Sequence, residues 1–250
     1  MTDYLTTPEG RRIAYRRTAG QGPELVFLPG FQSDMSGTKA VRLEAWAQAH
    51  GRAFLRFDYS GHGASSGDFL DGCIGDWAAD AAAVIFAAPG PKVLIGSSMG
   101  GWIGMLLARE RAASVAGFLG IAAAPDFTSE EAPWSAMPPE QREELARDGR
   151  VTLPNPYGDA PTVMTAKLFT DGARQTVLGK PLSLPMPVRL LHGSADADVP
   201  LAVSLAVLDH AQAPDMRLCV LKGADHRFSS PEALGLIEAT LAELLTRIDG

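Results

Sequence analysis

Cysteine is nearly absent. The 250 residues contain two, Cys73 and Cys219, too few for a disulfide framework and without metal-ligand spacing, so each is read as a buried thiol. Basic charge is also scarce: 22 Lys and Arg stand against 29 Asp and Glu, a net charge of −7. No Lys/Arg-rich run can build a basic face, which excludes a nucleic-acid partner. Long apolar runs are missing too. None nears the roughly 18 residues that cross a bilayer, so stable membrane insertion is excluded. The opening Met1-Thr2-Asp3-Tyr4-Leu5 has neither the basic start nor the apolar core of a signal peptide, and a cytoplasmic location is expected. Nor does any period of about 20 to 50 residues recur, which excludes a repeat protein.

What remains is an ordinary globular balance, 46% hydrophobic and 20% charged, which a disordered chain does not have. The length suits one large domain, residues 1–250. The 26 Gly and 18 Pro point to tight turns rather than a helical bundle. Short apolar runs read as strands at Leu25–Leu28, Ala53–Phe57, Val93–Ile95, Phe118–Ala123, Val188–Leu191 and Met216–Leu221. Helical patterns lie between or after them at Ala40–His50, Asp76–Ala88, Trp102–Arg111, Leu201–Ala211 and Pro231–Ile248. Continuous apolar strands alternating with helices predict an α/β fold, a mostly parallel sheet covered on both faces. Ile13–Arg17 is expected in an antiparallel hairpin at the leading edge.

One interval breaks the alternation. From Pro125 to Pro187 the chain is rich in proline, with Glu130, Glu131, Glu140, Glu143 and Glu144 around two helix-like pieces. One helix is expected to start near Pro138-Pro139, and Val163–Phe169 reads as a helical wall. An insertion of about sixty residues between strands of a compact sheet is usually functional, so residues 125–187 are read as a cap. Its apolar residues Trp134, Met137, Val163, Met164, Leu168 and Phe169 exceed what a solvent-facing loop needs. Some are expected to pack the cap on the sheet, and Met164 and Leu168 to roof a substrate pocket that favours an apolar acyl chain. Anionic leaving groups are expected to fare poorly at the acidic mouth unless Arg174 or Arg227 meets them.

The chemistry is carried by Gly96-Ser97-Ser98-Met99-Gly100, a G-x-S-x-G string placed between a buried strand and a helix. A nucleophile elbow needs that placement, because the serine sits on a strained turn and small neighbours must avoid clashes. Ser98 is the expected nucleophile; Ser97 occupies the variable position. A serine hydroxyl needs a base, and there are five histidines. His50 and His210 fall at helix ends, while His62 and His192 read as structural. His226 follows the last strand, at the same carboxyl edge as the elbow, and is the expected base. The acid must hold the imidazole tautomer. Asp196 or Asp198, after the preceding strand, can serve. Asp196 is preferred, Asp198 being read as a turn or helix-start residue, with Asp126 a distant alternative. Backbone N–H groups of Met99 and of Phe31, after Leu28-Pro29-Gly30, are the expected oxyanion donors; the Phe31 ring would line the pocket.

These residues resemble the α/β-hydrolase pattern along essentially the whole chain. Two strings, Leu28-Pro29-Gly30-Phe31-Gln32-Ser33-Asp34-Met35-Ser36-Gly37-Thr38-Lys39-Ala40 and Phe57-Asp58-Tyr59-Ser60-Gly61-His62-Gly63, are similar to the acyl-protein thioesterase and acyl-glucuronide esterase branch known from mitochondria. Gly96–Trp102 and Asp225–Ser229 fit that branch as well. A mitochondrial presequence is not seen, so the chain looks like a bacterial-type relative of that branch. The expectation is therefore a serine hydrolase, with Ser98, Asp196 and His226 as its triad. It would cleave a small-molecule acyl ester or thioester through an acyl-enzyme. No metal motif, phosphate loop or dinucleotide fingerprint is found, so no cofactor is expected. The rivals are hydrolysis of a C–C or amide bond and a non-catalytic receptor on the same fold.

Overall fold

The computed structural model describes residues 1–129, 137–155 and 161–250. Its strands are β1 (Asp3–Thr6), β2 (Arg12–Thr18), β3 (Gln21–Leu28), β4 (Arg52–Phe57), β5 (Lys92–Ser97), β6 (Val115–Ile121), β7 (Arg150–Leu153), β8 (Thr162–Thr165), β9 (Val188–Gly193) and β10 (Met216–Leu221). Its α-helices are α1 (Thr38–Ala49), α2 (Ile74–Ile85), α3 (Met99–Glu110), α4 (Pro139–Asp148), α5 (Ala166–Gly172), α6 (Leu201–His210) and α7 (Pro231–Asp249). Eight strands form one sheet in the order β1-β2-β4-β3-β5-β6-β9-β10. From β4 to β10 neighbouring strands run parallel. The expected hairpin β1–β2 closes one edge antiparallel. Among the described residues no helix is long and apolar enough to cross a membrane.

The apolar runs face both ways because successive strand side chains alternate. Leu25, Phe27, Val93, Ile95 and Leu119 pack with α1 and α7 through Leu43, Ile237 and Leu241. Val26, Leu28, Leu94 and Phe118 pack on the other face with α2 and α3 through Trp77, Val84, Trp102 and Ile103. The helix after β3 therefore goes to one face and the helix after β5 to the other. β3 and β5 are hydrogen-bonded neighbours, so the chain parts at their carboxyl ends. A crevice opens where strand order reverses in this way.

The interval between β6 and β9 holds α4, β7, β8 and α5. Helix α4 starts where the two prolines place it, with Pro at its first turn. The segment Val163–Phe169 is not one helix. β-branched Thr162, Val163 and Thr165 favour extended backbone and pair with β7, Leu153 opposite Thr162 and Val151 opposite Met164. Thr165 then caps the new helix, its hydroxyl accepting from the Leu168 amide at 3.3 Å. Trp134, Glu130 and Glu131 lie outside the described residues. The cysteines also divide. Cys73 is buried and donates to Asp76, whereas Cys219 is exposed, because β10 is the edge of the sheet and is covered less fully than the inner strands.

Candidate active site

β5 delivers Ser98 to the crevice. The residue adopts φ 54°, ψ −120°, between the end of the strand and the first turn of α3. A non-glycine residue there costs on the order of 1–3 kcal/mol and persists only where the surroundings impose it. Here they do. The Ser98 amide donates to Ile121 O at 3.0 Å, and its carbonyl accepts from Gly101 N at 2.8 Å and Ala124 N at 3.1 Å. The flanking glycines are a steric necessity: a Cβ on Gly96 would stand 2.3 Å from Gly100 O, and one on Gly100 2.1 Å from Leu28 O.

His226 arrives on the loop after β10. That loop is plugged into the core by the fully buried Phe228 and leads into α7, whose first turn is capped by Ser230. Nε2 of His226 lies 3.0 Å from Ser98 Oγ, and Nδ1 lies 2.8 Å from Asp196 Oδ2. A carboxylate can only accept, so Nδ1 carries the proton and Nε2 accepts from the serine hydroxyl. Ser97, next in the chain, is buried and is not the residue His226 reaches. Asp196, on the loop after β9, is fixed through its other oxygen by the amides of Asp198 at 3.0 Å and Val199 at 2.8 Å. Burial works to raise its pKa. The hydrogen bonds from His226 and Val199 N–H and the nearby imidazole outweigh it, and hold the carboxyl below the ordinary aspartate value.

Two residues weighed at sequence level have other duties. Asp126 is buried, with its oxygens accepting from the amides of Val177 and Leu178, both at 2.9 Å, so it ties the returning insertion to the end of β6. Asp198 gives Asp196 its backbone N–H. The other histidines fall as expected. His50 and His210 are exposed at helix ends, donating to Trp46 O and Lys180 O, and His62 is buried among Tyr59, Phe69 and Trp77. His192 supports more than its strand. Its Nε2 donates to Val199 O at 2.9 Å, so Nδ1 accepts from Ser204 Oγ at 2.8 Å. Since Val199 N in turn binds Asp196, His192 braces the turn that holds the acid. A histidine four residues before the aspartate was the available signal.

Met99 is the first residue of α3, where a backbone N–H has no intrahelical acceptor. Phe31 follows Gly30, where an added Cβ would sit 3.3 Å from Ser98 Cβ, so the residue before Phe31 borders the serine. A cavity of about 520 Å³ opens beside Ser98 and His226, with Phe31, Phe127, Leu153, Thr162 and Lys39 in its wall. The Phe31 ring is held edge-on by Phe69, Trp77 and Phe127 at centroid distances of 5.0, 5.9 and 5.7 Å. Thr162 Oγ1 donates to Gln32 Oε1 at 3.0 Å, joining the insertion to the loop that carries Phe31.

Met164 and Leu168 do not line this cavity among the described residues. Both are buried in the core that α2 and α3 build, because the β7–β8 register turns Met164 inward with Val151. Phe127 and Leu153 stand in the wall instead. Phe127 had a readable signal, an aromatic residue just beyond the carboxyl end of a strand; Leu153 and Lys39 had none. Among the described residues, Asp196, Asp198 and His226 are the one donor set close enough to share an ion, within 4.8 Å of one another. Their bonding already commits them, since the His226 nitrogen facing Asp196 carries a proton.

The model of the alpha/beta hydrolase family matches residues 25–235. Rat palmitoyl-protein thioesterase ABHD10, a mitochondrial protein, is 34% identical over 247 residues, 98% of this chain and 82% of the relative. Among solved structures, a putative hydrolase from Agrobacterium vitis is 35% identical with a TM-score of 0.92, covering 98% of each chain. Mouse alpha/beta hydrolase domain-containing protein 10 is 34% identical with a TM-score of 0.90, covering 99% of each. By family model, sequence identity and length of match, this chain belongs to the alpha/beta hydrolase family.

Proposed function

We propose that the chain is a serine hydrolase that cleaves carboxylic esters or acyl thioesters through an acyl-enzyme on Ser98. The observation that carries this reading is the unbroken hydrogen-bonded line Asp196–His226–Ser98 at the carboxyl edge of the sheet. His226 Nε2 takes the hydroxyl proton as Ser98 Oγ attacks the acyl carbon, and Asp196 stabilises the imidazolium. The carbonyl oxygen, now an oxyanion, accepts from the amides of Phe31 and Met99. His226 then gives its proton to the leaving oxygen or sulfur. Water enters and is deprotonated by the same nitrogen as its oxygen attacks the acyl carbon; the acyl–Oγ bond then breaks, the proton passes from His226 to Ser98 Oγ, and the acid leaves.

The name of the rat relative, a palmitoyl-protein thioesterase, supports a thioester among the substrates. Residues 125–187 act as a cap in this reading, supported by the presence of Leu153 and Thr162 in the cavity wall. The aromatic wall of Phe31 and Phe127 supports an apolar acyl group, each buried methylene adding about 0.8 kcal/mol. A cytoplasmic location is kept as the expectation for this chain, although the rat relative is mitochondrial, and subcellular fractionation tests it. The reading itself is tested with a fluorophosphonate probe and a series of p-nitrophenyl esters and matched thioesters from acetyl to palmitoyl. Labelling of the folded protein at Ser98 and a kcat/KM that rises from acetyl towards medium chains are expected. No labelling, or a steady fall beyond acetyl, would overturn the catalytic or the acyl-group part respectively.

A further inference from the structure

β10 is the last strand of the sheet, and among the described residues no strand pairs with its outer side. The groups it leaves open can be named. Val188 N–H donates to Asp215 O at 2.8 Å and Ser194 N–H to Leu221 O at 3.0 Å, so the odd-numbered residues of β10 turn their main chain towards β9. Successive residues of a strand alternate in this respect, which leaves the N–H and C=O of Met216, Leu218 and Val220 directed off the sheet. Helix α6 packs on β9 and β10 alike. Its Val203 meets Ala124 beyond β6, and its Ser204 bonds His192 of β9. At about 100° per residue, the same rotation round the helix next reaches Leu208 and Leu205, on the flank that overhangs β10. Leu205 is 51% exposed, Leu208 36% and Val220 41%, and these are three of the six large hydrophobic side chains exposed among the described residues. Half of the exposed apolar groups therefore stand along one open edge.

An edge that offers backbone and apolar side chains together is a template for another strand, and this one matches itself. Antiparallel pairing on a two-fold axis at Leu218 sets that residue against its own copy and Met216 against the partner's Val220. All the open groups are then used, in about six main-chain bonds. Strands about 4.8 Å apart bring the two copies of α6, each over the middle of its β9–β10 pair, to about 10 Å, the spacing at which helices pack. Charge agrees. α6 runs against β10, so its exposed Asp209 lies over the start of the strand, while the exposed Lys222 follows the strand's end. Antiparallel pairing lays the partner's Lys222 beside Asp209 and the negative end of α6. We propose that the chain is a two-fold homodimer joined through β10 and the outer flank of α6, the two sheets continuing as one. None of these residues is in the wall of the cavity beside Ser98, so assembly is tested apart from catalysis.

Sedimentation equilibrium of the full chain at micromolar concentration is expected to give two chains per particle. Leu205→Glu sets two carboxylates near the axis, and Val220→Pro removes an N–H that β9 does not use. Each should raise the dimer Kd by at least about thirtyfold, the loss of one interface anchor, with near- and far-ultraviolet circular dichroism unchanged. Leu208→Glu replaces either variant if it does not fold. A second measurement reads the register. In this pairing Arg217 faces the partner's Cys219 without main-chain bonds between them, the closer kind of cross-strand pair. Arg217→Cys treated with diamide is therefore expected to give a disulfide-linked dimer on a non-reducing gel. The wild type should stay unlinked, because the two copies of Cys219 stand diagonally, about 7–8 Å apart and beyond disulfide reach. A particle of one chain would overturn the proposal. So would a dimer indifferent to both Leu205→Glu and Val220→Pro, or wild-type crosslinking as fast as that of Arg217→Cys.

Discussion

Asp126 and Asp196 leave adjacent strands of one sheet, β6 and β9, and both accept two backbone N–H bonds. Their pKa values nonetheless move in opposite directions. Burial raises that of Asp126 above the ordinary value, its two amide bonds and the more distant Arg109 and His210 only partly opposing the shift. Asp196 has in addition a direct bond from His226, which carries it below that value. His192 Nε2 also stands 3.5 Å from the same Asp196 oxygen, but the difference in direction follows the direct bond from His226. With it, a buried carboxylate is a stabilised charge that can orient and support a base; without it, the same group is a backbone latch that holds the insertion. The edge that carries Ser98 and His226 should therefore answer substitution in rate, and the buried parts of the insertion in stability.

The sharpest way to break that division is at Ser98. Ser98→Ala should abolish fluorophosphonate labelling and lower kcat by about 10⁴-fold or more, as removal of a triad member does, while Ser97→Ala keeps the label. Labelling lost in Ser97→Ala alone would move the elbow by one residue. Next in size is Asp196→Asn, expected to cut kcat about 10⁴-fold by allowing the wrong His226 tautomer. Asp198→Asn keeps the backbone N–H that Asp196 uses and should lose less than about tenfold. Equal losses would remove the special standing of Asp196.

On the insertion side, Leu168→Ala should lower the unfolding free energy by about 2–5 kcal/mol, as buried leucine truncations do, with the acyl-chain profile unchanged. Phe127→Ala should instead flatten that profile. A flattened profile in Leu168→Ala would restore that residue to the pocket. The smallest effect is expected at Asp126. Its folded pKa lies above the unfolded one, near 3.9 for an ordinary aspartate, so its linkage favours folding below that value and the benefit is lost as pH rises through the folded pKa. Relative to Asp126→Asn, the wild type should gain stability as pH falls through this window. Denaturant unfolding of both from pH 7 to 4 measures it, and the opposite sign would mean that the amide bonds dominate burial.

Much of the candidate site's geometry was legible because its constraints are local. The glycines around Ser98 are demanded by atoms within a few residues and by one neighbouring loop, and a strand before the motif and a helix after it are visible as apolar periods. His226 could be chosen because only it followed the last strand. The choice between Asp196 and Asp198 rested on turn chemistry, and the structure brings Asp196 to His226 with Asp198 N–H behind it. The insertion resisted for a different reason. Its segment Val163–Phe169 carries few residues per element, and the β-branched positions at its start outweigh the apolar stripe once a partner strand is at hand.

The chain's own text determined the alternating sheet and helices, the strained serine turn and the order of serine, acid and histidine, since periodicity, glycine sterics and strand-end position act within a short stretch. Only the folded molecule decided which apolar side chains became wall and which became core. Leucine and methionine are chemically alike in both places, and a shift of one residue in a hairpin turns every side chain to the other face. The register that sets Met164 opposite Val151 took Met164 away from the cavity. Likewise the contact of Lys39 with Arg227 joins positions 188 residues apart, and no local pattern reports where two such distant segments will meet.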